Sequence, residues 1–199
     1  MRTGQSWLGG YPRECVDINS FVVRRYTPDD AASMVEAVSA SIDHLRPWMP
    51  WIEHEPQNVE QRRALLAEWS NEWETKASFA YGVFENGVLV GSTGLHVRSG
   101  PGTLEIGYWV HAGHVRRGIA ALAAAVMVEV GFELPDVEAI EIVHDPLNQA
   151  SRRIPEKLGF AFVGEFARAD DPHYAQMPLA PAESGVGCRW RLERSDSGA

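Results

Sequence analysis

An α/β fold, built on a mixed and mostly antiparallel sheet with helices on both faces, is what this sequence predicts, and three features predict it. Asn86-Gly87 joins two runs rich in strand-forming residues, Phe79 to Phe84 and Val88 to Val97, and Asn-Gly suits the type I′ turn because both central residues need positive φ. A segment from about Arg117 to Phe132 is apolar almost all round, so it reads as a deeply buried helix. After it come a strand, a helix and two further strands, as in layered α/β and α+β architectures.

The elements follow in order. A strand fits Ile18 to Arg25. Thr27-Pro28-Asp29-Asp30 then opens a helix, with Thr27 as cap, proline at the first helical position and acids against the positive end of the dipole. That helix is expected to reach about His44. Leu45 to Pro56, with three prolines and two tryptophans, reads as loop, and a second helix covers about Asn58 to Lys76. On this helix Trp69 and Trp73 stand at helical spacing and are read as core. Beyond Ser99-Gly100-Pro101-Gly102 a strand from Thr103 to Val110 completes a meander. Past the buried helix come a strand at Ala139 to His144, a helix from Asn148 to Leu158 stopped at Gly159, a strand at Phe160 to Phe166 and a last strand at Gly187 to Glu193. Met1 to Asp17 and Ser195 to Ala199 read as loosely held.

The 199 residues are enough for one domain, 1–199, with its core at about 18–194. Formal net charge is −9, and basic residues are dispersed apart from Arg116-Arg117 and Arg152-Arg153. A nucleic-acid binder needs a basic face to neutralise phosphates, so that class is excluded, while an acidic surface suits a cationic partner such as an amine or basic peptide. No run approaches the roughly 20 apolar residues of a membrane span. Met1 to Asn19 lacks a basic start followed by an apolar stretch, so no signal peptide is read and a cytoplasmic location is expected. Cys15 and Cys188 are the only cysteines, and both are expected as free thiols. His111 and His114 have neither a partner carboxylate nor a helix to make a metal site, and no metal is expected.

Two sites carry chemistry. At His114-Val115-Arg116-Arg117-Gly118-Ile119-Ala120 a strand runs into a short basic loop with a glycine, and a buried helix begins. Free N–H groups and the helix dipole make such a place an anion site. A Walker A loop is excluded because Ile119 stands where its lysine belongs, and a dinucleotide fingerprint for want of G-x-G. The alternative is a plain helix start with two solvated arginines. The second site is Asn148-Gln149-Ala150-Ser151, opening the helix that ends at Leu158-Gly159; alone, these residues would be purely structural.

Taken together, the chain resembles the GNAT superfamily, and within it the RimJ/RimL-like branch of N-terminal acetyltransferases. The matching pieces are Glu105-Ile106-Gly107-Tyr108-Trp109-Val110, Arg117-Gly118-Ile119-Ala120, Asn148-Gln149-Ala150-Ser151 and Glu156-Lys157-Leu158-Gly159-Phe160. His44-Leu45-Arg46-Pro47-Trp48-Met49-Pro50-Trp51 is similar to that branch's acceptor-side loop. The resemblance spans about Ile18 to Glu165 and implies a V-shaped cleft where two parallel strands splay apart, with acetyl-CoA as co-substrate. In such a fold the backbone of Trp109 and Val110 would pair with pantetheine. Amides of Arg116, Arg117, Gly118, Ile119, Ala120 and Ala121 would hold the pyrophosphate, and Asn148 with Ser151 would line the thioester arm. Two positions depart from the family pattern: Val115 stands where members often have Gln or Arg, and Pro155 where many carry a tyrosine general acid. Ser151 is the candidate for that vacated role.

The implied reaction is direct attack of a neutral amine on the acetyl thioester. A peptide α-amine, with a pKa of about 7.7–8.0, needs far less help than a lysine at about 10.4. Glu105 is the first candidate for a base acting through water and Glu141 the second, though either also fits a satisfied structural carboxylate. His44, Trp48 and Trp51 are candidates to line the acceptor pocket, against the alternative that the tryptophans only pack the first two helices together. Three functions stay open: acetylation of a protein or peptide N-terminus, acetylation of a small amine such as an antibiotic, polyamine or amino-acid derivative, and CoA binding without turnover. Oligomeric state, a homodimer included, stays open as well.

Overall fold

The computed structural model describes residues 7–195. Eight strands form one sheet: β1 (Cys15–Ile18), β2 (Phe21–Arg25), β3 (Ser78–Glu85), β4 (Val88–His96), β5 (Thr103–Val110), β6 (Ala139–His144), β7 (Ala161–Ala167) and β8 (Val186–Glu193), in spatial order β1-β2-β3-β4-β5-β6-β8-β7. Every neighbouring pair is antiparallel except β5 and β6. The β3–β4 turn is the expected one, with Asn86 at φ 50° and Gly87 at φ 82°. Five α-helices accompany the sheet: α1 (Ala31–Ser39), α2 (Ile42–Leu45), α3 (Val59–Glu74), α4 (Ile119–Phe132) and α5 (Gln149–Lys157).

The two faces of the sheet carry two apolar clusters. Leu95, Leu104, Ile106, Ile140 and Ile142 pack with Ala123, Val126, Met127 and Val130 of α4. This is why α4 is apolar nearly all round. On the other face Met34 and Val38 of α1 and Leu66 of α3 meet Phe84, Leu89 and Trp109. Trp73 belongs to the core, edge-on to Phe79 with ring centroids 5.1 Å apart. Trp69 instead stands half-buried against Tyr26, at 5.6 Å.

The fold corrects four expectations. The strand expected at Ile18 to Arg25 is the β1–β2 hairpin, turning at Asn19 with φ 54°. The helix expected to reach His44 is a 3-10 turn at Pro28–Asp30, then α1, then the separate α2. The break falls at Ser41, whose hydroxyl donates back to Ala37 C=O (2.7 Å) and accepts from Ala112 N–H (3.0 Å), tying α1 to the end of β5. Within the expected loop, Pro50–His54 forms a 3-10 turn. The described part of the first seventeen residues is held firmly: Leu8 is buried, Gly9 N–H donates to Asp136 (2.6 Å), and Arg13 forks to Glu129 and Glu133 (2.6 and 2.7 Å). These anchors follow no period, so pattern reading misses them. Residues 1–6 and 196–199 lie outside the described residues.

The 3-10 turn and α3 are joined by a buried ion pair, Arg62 with Glu55, whose side chains are 1% and 2% exposed. Removing one partner leaves the other charge buried and alone, which costs about 3–5 kcal/mol, whereas replacing both can be nearly neutral. Arg62→Ala is therefore expected to lower the urea midpoint sharply, and Arg62→Met combined with Glu55→Gln to recover most of it. Equal losses in the single and double variants would show that the pair does not hold this segment.

Candidate active site

The parallel pair β5–β6 is in register only at Thr103↔Ala139, Leu104↔Ile140 and Glu105↔Glu141. Beyond Glu105 the strands part. β5 stays paired to β4 as far as Val110↔Gly91, and β6 to β8 as far as His144↔Cys188. The backbone edges of Ile106 to Val110 and of Ile142 to His144 thus face a gap instead of each other. A strand edge open in this way can pair with any extended chain of amides. The gap leads into a cavity of about 650 Å³ lined by Glu105, Tyr108, Trp109, Val143, His144, Asn148 and Ser151, together with Trp48, Trp51, Trp69, Arg98 and Tyr174.

At the outer end of β5 the chain turns through a 3-10 turn, Ala112–His114, and enters α4. Arg116 has φ 60° and Gly118, the cap, φ 80°. The first helical bond runs from Leu122 N–H to Gly118 C=O (2.9 Å), so N–H groups of the preceding turn have no acceptor within the helix. A Cβ at Gly118 would meet no atom within 4 Å. Glycine is required there by backbone angle, and the space before it is open. Arg117 forks to Glu85 (2.7 and 2.8 Å), so its guanidinium is committed, while Arg116 is exposed. An anion at this loop would meet backbone donors first.

Across the gap, Asn148 caps α5, its Oδ1 accepting from Ser151 N–H (3.1 Å), which leaves the Nδ2 donors for the cavity. α5 runs on through Pro155 to Lys157. Ser151 C=O, deprived of a helical donor by Pro155, accepts from the Tyr108 hydroxyl (3.3 Å), which also lies 2.9 Å from Ser151 Oγ. The carbonyl freed by proline is thus taken by a tyrosine of the opposite wall. Burial, countered in part by Ser151, pushes the Tyr108 hydroxyl up to about 12.

Glu105 is 2% exposed and bound through both oxygens, one to Arg98 and the other to the hydroxyl of Tyr174. An amine or water must compete with these donors to reach it. Glu141 does not line the cavity; it lies beside Glu105 and pairs with Arg191 (2.9 Å) and Arg189 (3.4 Å). Trp48 and Trp51 do line the cavity, and Trp51 also packs against Trp109 of β5, with ring centroids 6.2 Å apart. His44 is exposed on α2 and is not a lining residue.

Several lining residues were invisible to pattern reading. Tyr174, Arg168 and Glu183 come from the connection between β7 and β8, 168–185, whose only signal was its unusual length. Arg168 pairs with Glu183 (2.8 Å), and both cap Tyr174's side of the cavity. Both ring nitrogens of His144 are engaged: Trp190 Nε1–H donates to its Nε2 (2.9 Å), and its Nδ1 lies 2.8 Å from Asp145 C=O. His96 lies opposite Glu105 in the β4–β5 register, with Nδ1 3.0 Å from the Ser78 hydroxyl. Burial, and then the Arg98 charge, lower it to about 4.

The acetyltransferase (GNAT) domain family matches residues 20–161. The Bacillus subtilis protein "Putative ribosomal N-acetyltransferase YdaF" is 24% identical over 144 residues, covering 72% of this chain and 79% of that protein. Among solved structures, RimL, a ribosomal L7/L12 α-N-protein acetyltransferase in complex with coenzyme A, aligns with a TM-score of 0.77 at 15% identity, over 90% of this chain and 98% of that one. The microcin C7 self-immunity acetyltransferase MccE, in complex with acetyl-CoA and AMP, aligns with a TM-score of 0.76 at 13% identity, over 88% and 93%. These likenesses show the fold.

His96 makes a prediction about acid stability. Its folded pKa of about 4 lies below the ordinary 6.5, so between those values the unfolded chain binds a proton that the folded chain does not. The His96 contribution is full above about pH 6.5 and is lost as pH falls toward 4, on the order of 3 kcal/mol in all. Urea midpoints at pH 7 and pH 4.5 should converge more closely for His96→Gln than for the unmodified chain. An identical pH slope in both would refute the assignment.

Proposed function

The chain belongs to the GNAT acetyltransferase family, and we propose that it transfers an acetyl group from acetyl-CoA to the α-amine of a protein or peptide N-terminus, by direct attack in a ternary complex. The observation that carries the proposal is the parting of β5 from β6 beyond Glu105, which opens two strand edges onto one cavity. Backbone groups of Trp109 and Val110 then hold the pantetheine amides, and the N–H groups from Arg116 to Ala121 hold the pyrophosphate. Asn148 offers Nδ2 donors beside Ser151. Acetyl-CoA supplies the activated acyl group and a leaving thiolate.

The acceptor follows from what the cavity lacks. His144 has both nitrogens engaged, His96 is a weak base held near 4, and both oxygens of Glu105 are bound. Such a site suits an amine that is already partly neutral. At pH 7 about 10–17% of a peptide α-amine is neutral, against about 0.04% of a lysine. Five carboxylates (Glu55, Glu72, Glu105, Asp145, Glu183) and three arginines (Arg62, Arg98, Arg168) line the cavity, an excess of two negative charges that favours a cationic acceptor on arrival. Glu105 serves as the carboxylate that orders the amine, directly or through water, with Tyr174 and Arg98 holding it in place. The names of YdaF and RimL, which refer to ribosomal and L7/L12 acetylation, support a protein N-terminus.

A second proposal, transfer to a small amine, draws on the walls formed by Trp48, Trp51 and Trp69, since enclosed aromatic pockets suit small molecules. CoA thiol release should be measured with basic peptides bearing a free N-terminus, the same peptides blocked at the N-terminus but retaining lysine, and small amines. The free N-termini are expected to react fastest, with kcat/KM rising from pH 6.5 to about 8 and then levelling as the α-amine becomes neutral. Glu105→Gln should lower kcat while CoA affinity stays within about twofold. Preference for small amines would favour the second proposal, and no release with any acceptor would leave only CoA binding.

A further inference from the structure

We propose that Tyr108 is the positioning residue for the Ser151 hydroxyl, a role created by Pro155 and resting on the proposal above that an acetyl thioester lies beside Ser151. Pro155 cannot donate to Ser151 C=O. Among the described residues the only side-chain hydroxyl reaching that carbonyl is that of Tyr108, at 3.3 Å, and the same oxygen lies 2.9 Å from Ser151 Oγ. Tyr108 sits on β5 beyond the last β5–β6 register pair, and Ser151 on the helix that follows β6. Their contact therefore crosses the gap and fixes one wall relative to the other.

Counting hydrogens shows what the contact can do. Two hydroxyls carry two hydrogens, and only Tyr108 can donate to the carbonyl. In one arrangement Tyr108 donates to Ser151 C=O and Ser151 donates to Tyr108, so no hydrogen faces the cleft. In the other Tyr108 donates to Ser151 Oγ, and the Ser151 hydrogen is free to point into the cleft. The two interconvert by rotation about two C–O bonds, with no movement of heavy atoms, at the cost of one long hydrogen bond. As the amine nitrogen bonds to the acetyl carbon and the C–S bond breaks, sulfur keeps the electron pair and the second arrangement gives it a hydrogen bond. The amine's surplus proton leaves to water. With the phenol near 12 and a thiol at about 8.5, the hydroxyls keep their hydrogens and stabilise the thiolate without transferring one. A helix with a normal residue at 155 would not need Tyr108 for its carbonyl; here the tyrosine serves both groups.

Four proteins test this: the unmodified chain, Tyr108→Phe, Pro155→Ala and the double variant, each measured for Tm and for acetyl-CoA turnover with a free N-terminal peptide. Tyr108→Phe is expected to lower kcat roughly 10- to 100-fold, with KM for acetyl-CoA within about twofold, and to lower Tm. With Pro155→Ala, which gives Ser151 C=O a helical N–H, the Tm loss from Tyr108→Phe should shrink while the kcat loss persists. Ser151→Ala should match the kcat loss, and Ser151→Ala with Tyr108→Phe should be no slower than the slower single variant. Additive Tm changes in the Tyr108/Pro155 cycle overturn the compensation, and wild-type kcat in either Tyr108→Phe or Ser151→Ala overturns the positioning role. Absence of thiol release from the unmodified chain refutes acetyl transfer itself, and the Tm cycle then judges the compensation alone.

Discussion

Two parallel strands that pair over three residues and then separate impose a cost on the fold, because backbone N–H and C=O groups along both parting edges lose their ladder partners. The rest of the molecule is arranged around that gap. On one side β5 is kept straight by continuous pairing to β4, and on the other β6 is kept in place by β8, so neither strand can drift across to close it. α4 covers the closed part of the sheet with an all-apolar surface, and its first turn projects unpaired N–H groups at the outer end of the same opening. Chain connectivity thus brings two kinds of unsatisfied backbone, strand edge and helix start, to one place.

The buried charges inside the cavity are held by partners: Arg62 has Glu55, Arg98 has Glu105 and Arg168 has Glu183, while Asp145 accepts from the neutral donors of Ser184 and Leu147. Burying these groups unpaired would cost several kcal/mol each, so the pairs are a condition of having a polar cavity at all. The same pairing fixes Glu105: a carboxylate gripped by a guanidinium and a phenol is well placed to orient a hydrogen-bonding group, the role proposed for it.

Much of this was legible in the sequence because local chemistry dictates it. Asn86-Gly87 fixes its turn through φ, the segment 119–132, apolar except for Glu129, packs against the sheet, and Gly118 and Asn148 each open a helix by backbone or capping requirements. What stayed illegible depends on contacts remote in the chain. Tyr174 reaches Glu105 from a long connection without periodicity, and Arg98 reaches it from the end of the neighbouring hairpin. Pro155 was visible only as a departure from the family pattern, and the partner it makes necessary for Ser151 C=O, Tyr108, lies on another element altogether. Glu141, indistinguishable from Glu105 by alternation along a strand, turns out to be tied up by Arg189 and Arg191 of β8, a strand whose neighbour could not be read from sequence. His44 looked eligible from its motif, yet the break at Ser41 leaves it on the surface.

The central claim is that the open edge of β5 and the unpaired first turn of α4 form one ligand-binding surface. Amide hydrogen exchange with and without saturating CoA tests it directly, since exchange reports which backbone groups gain partners. CoA should slow exchange in the segments covering 108–111 and 116–122 together, leaving the β2–β3 and β7–β8 pairs unchanged. Protection spread evenly over the sheet, or confined to regions away from β5 and α4, would contradict the account.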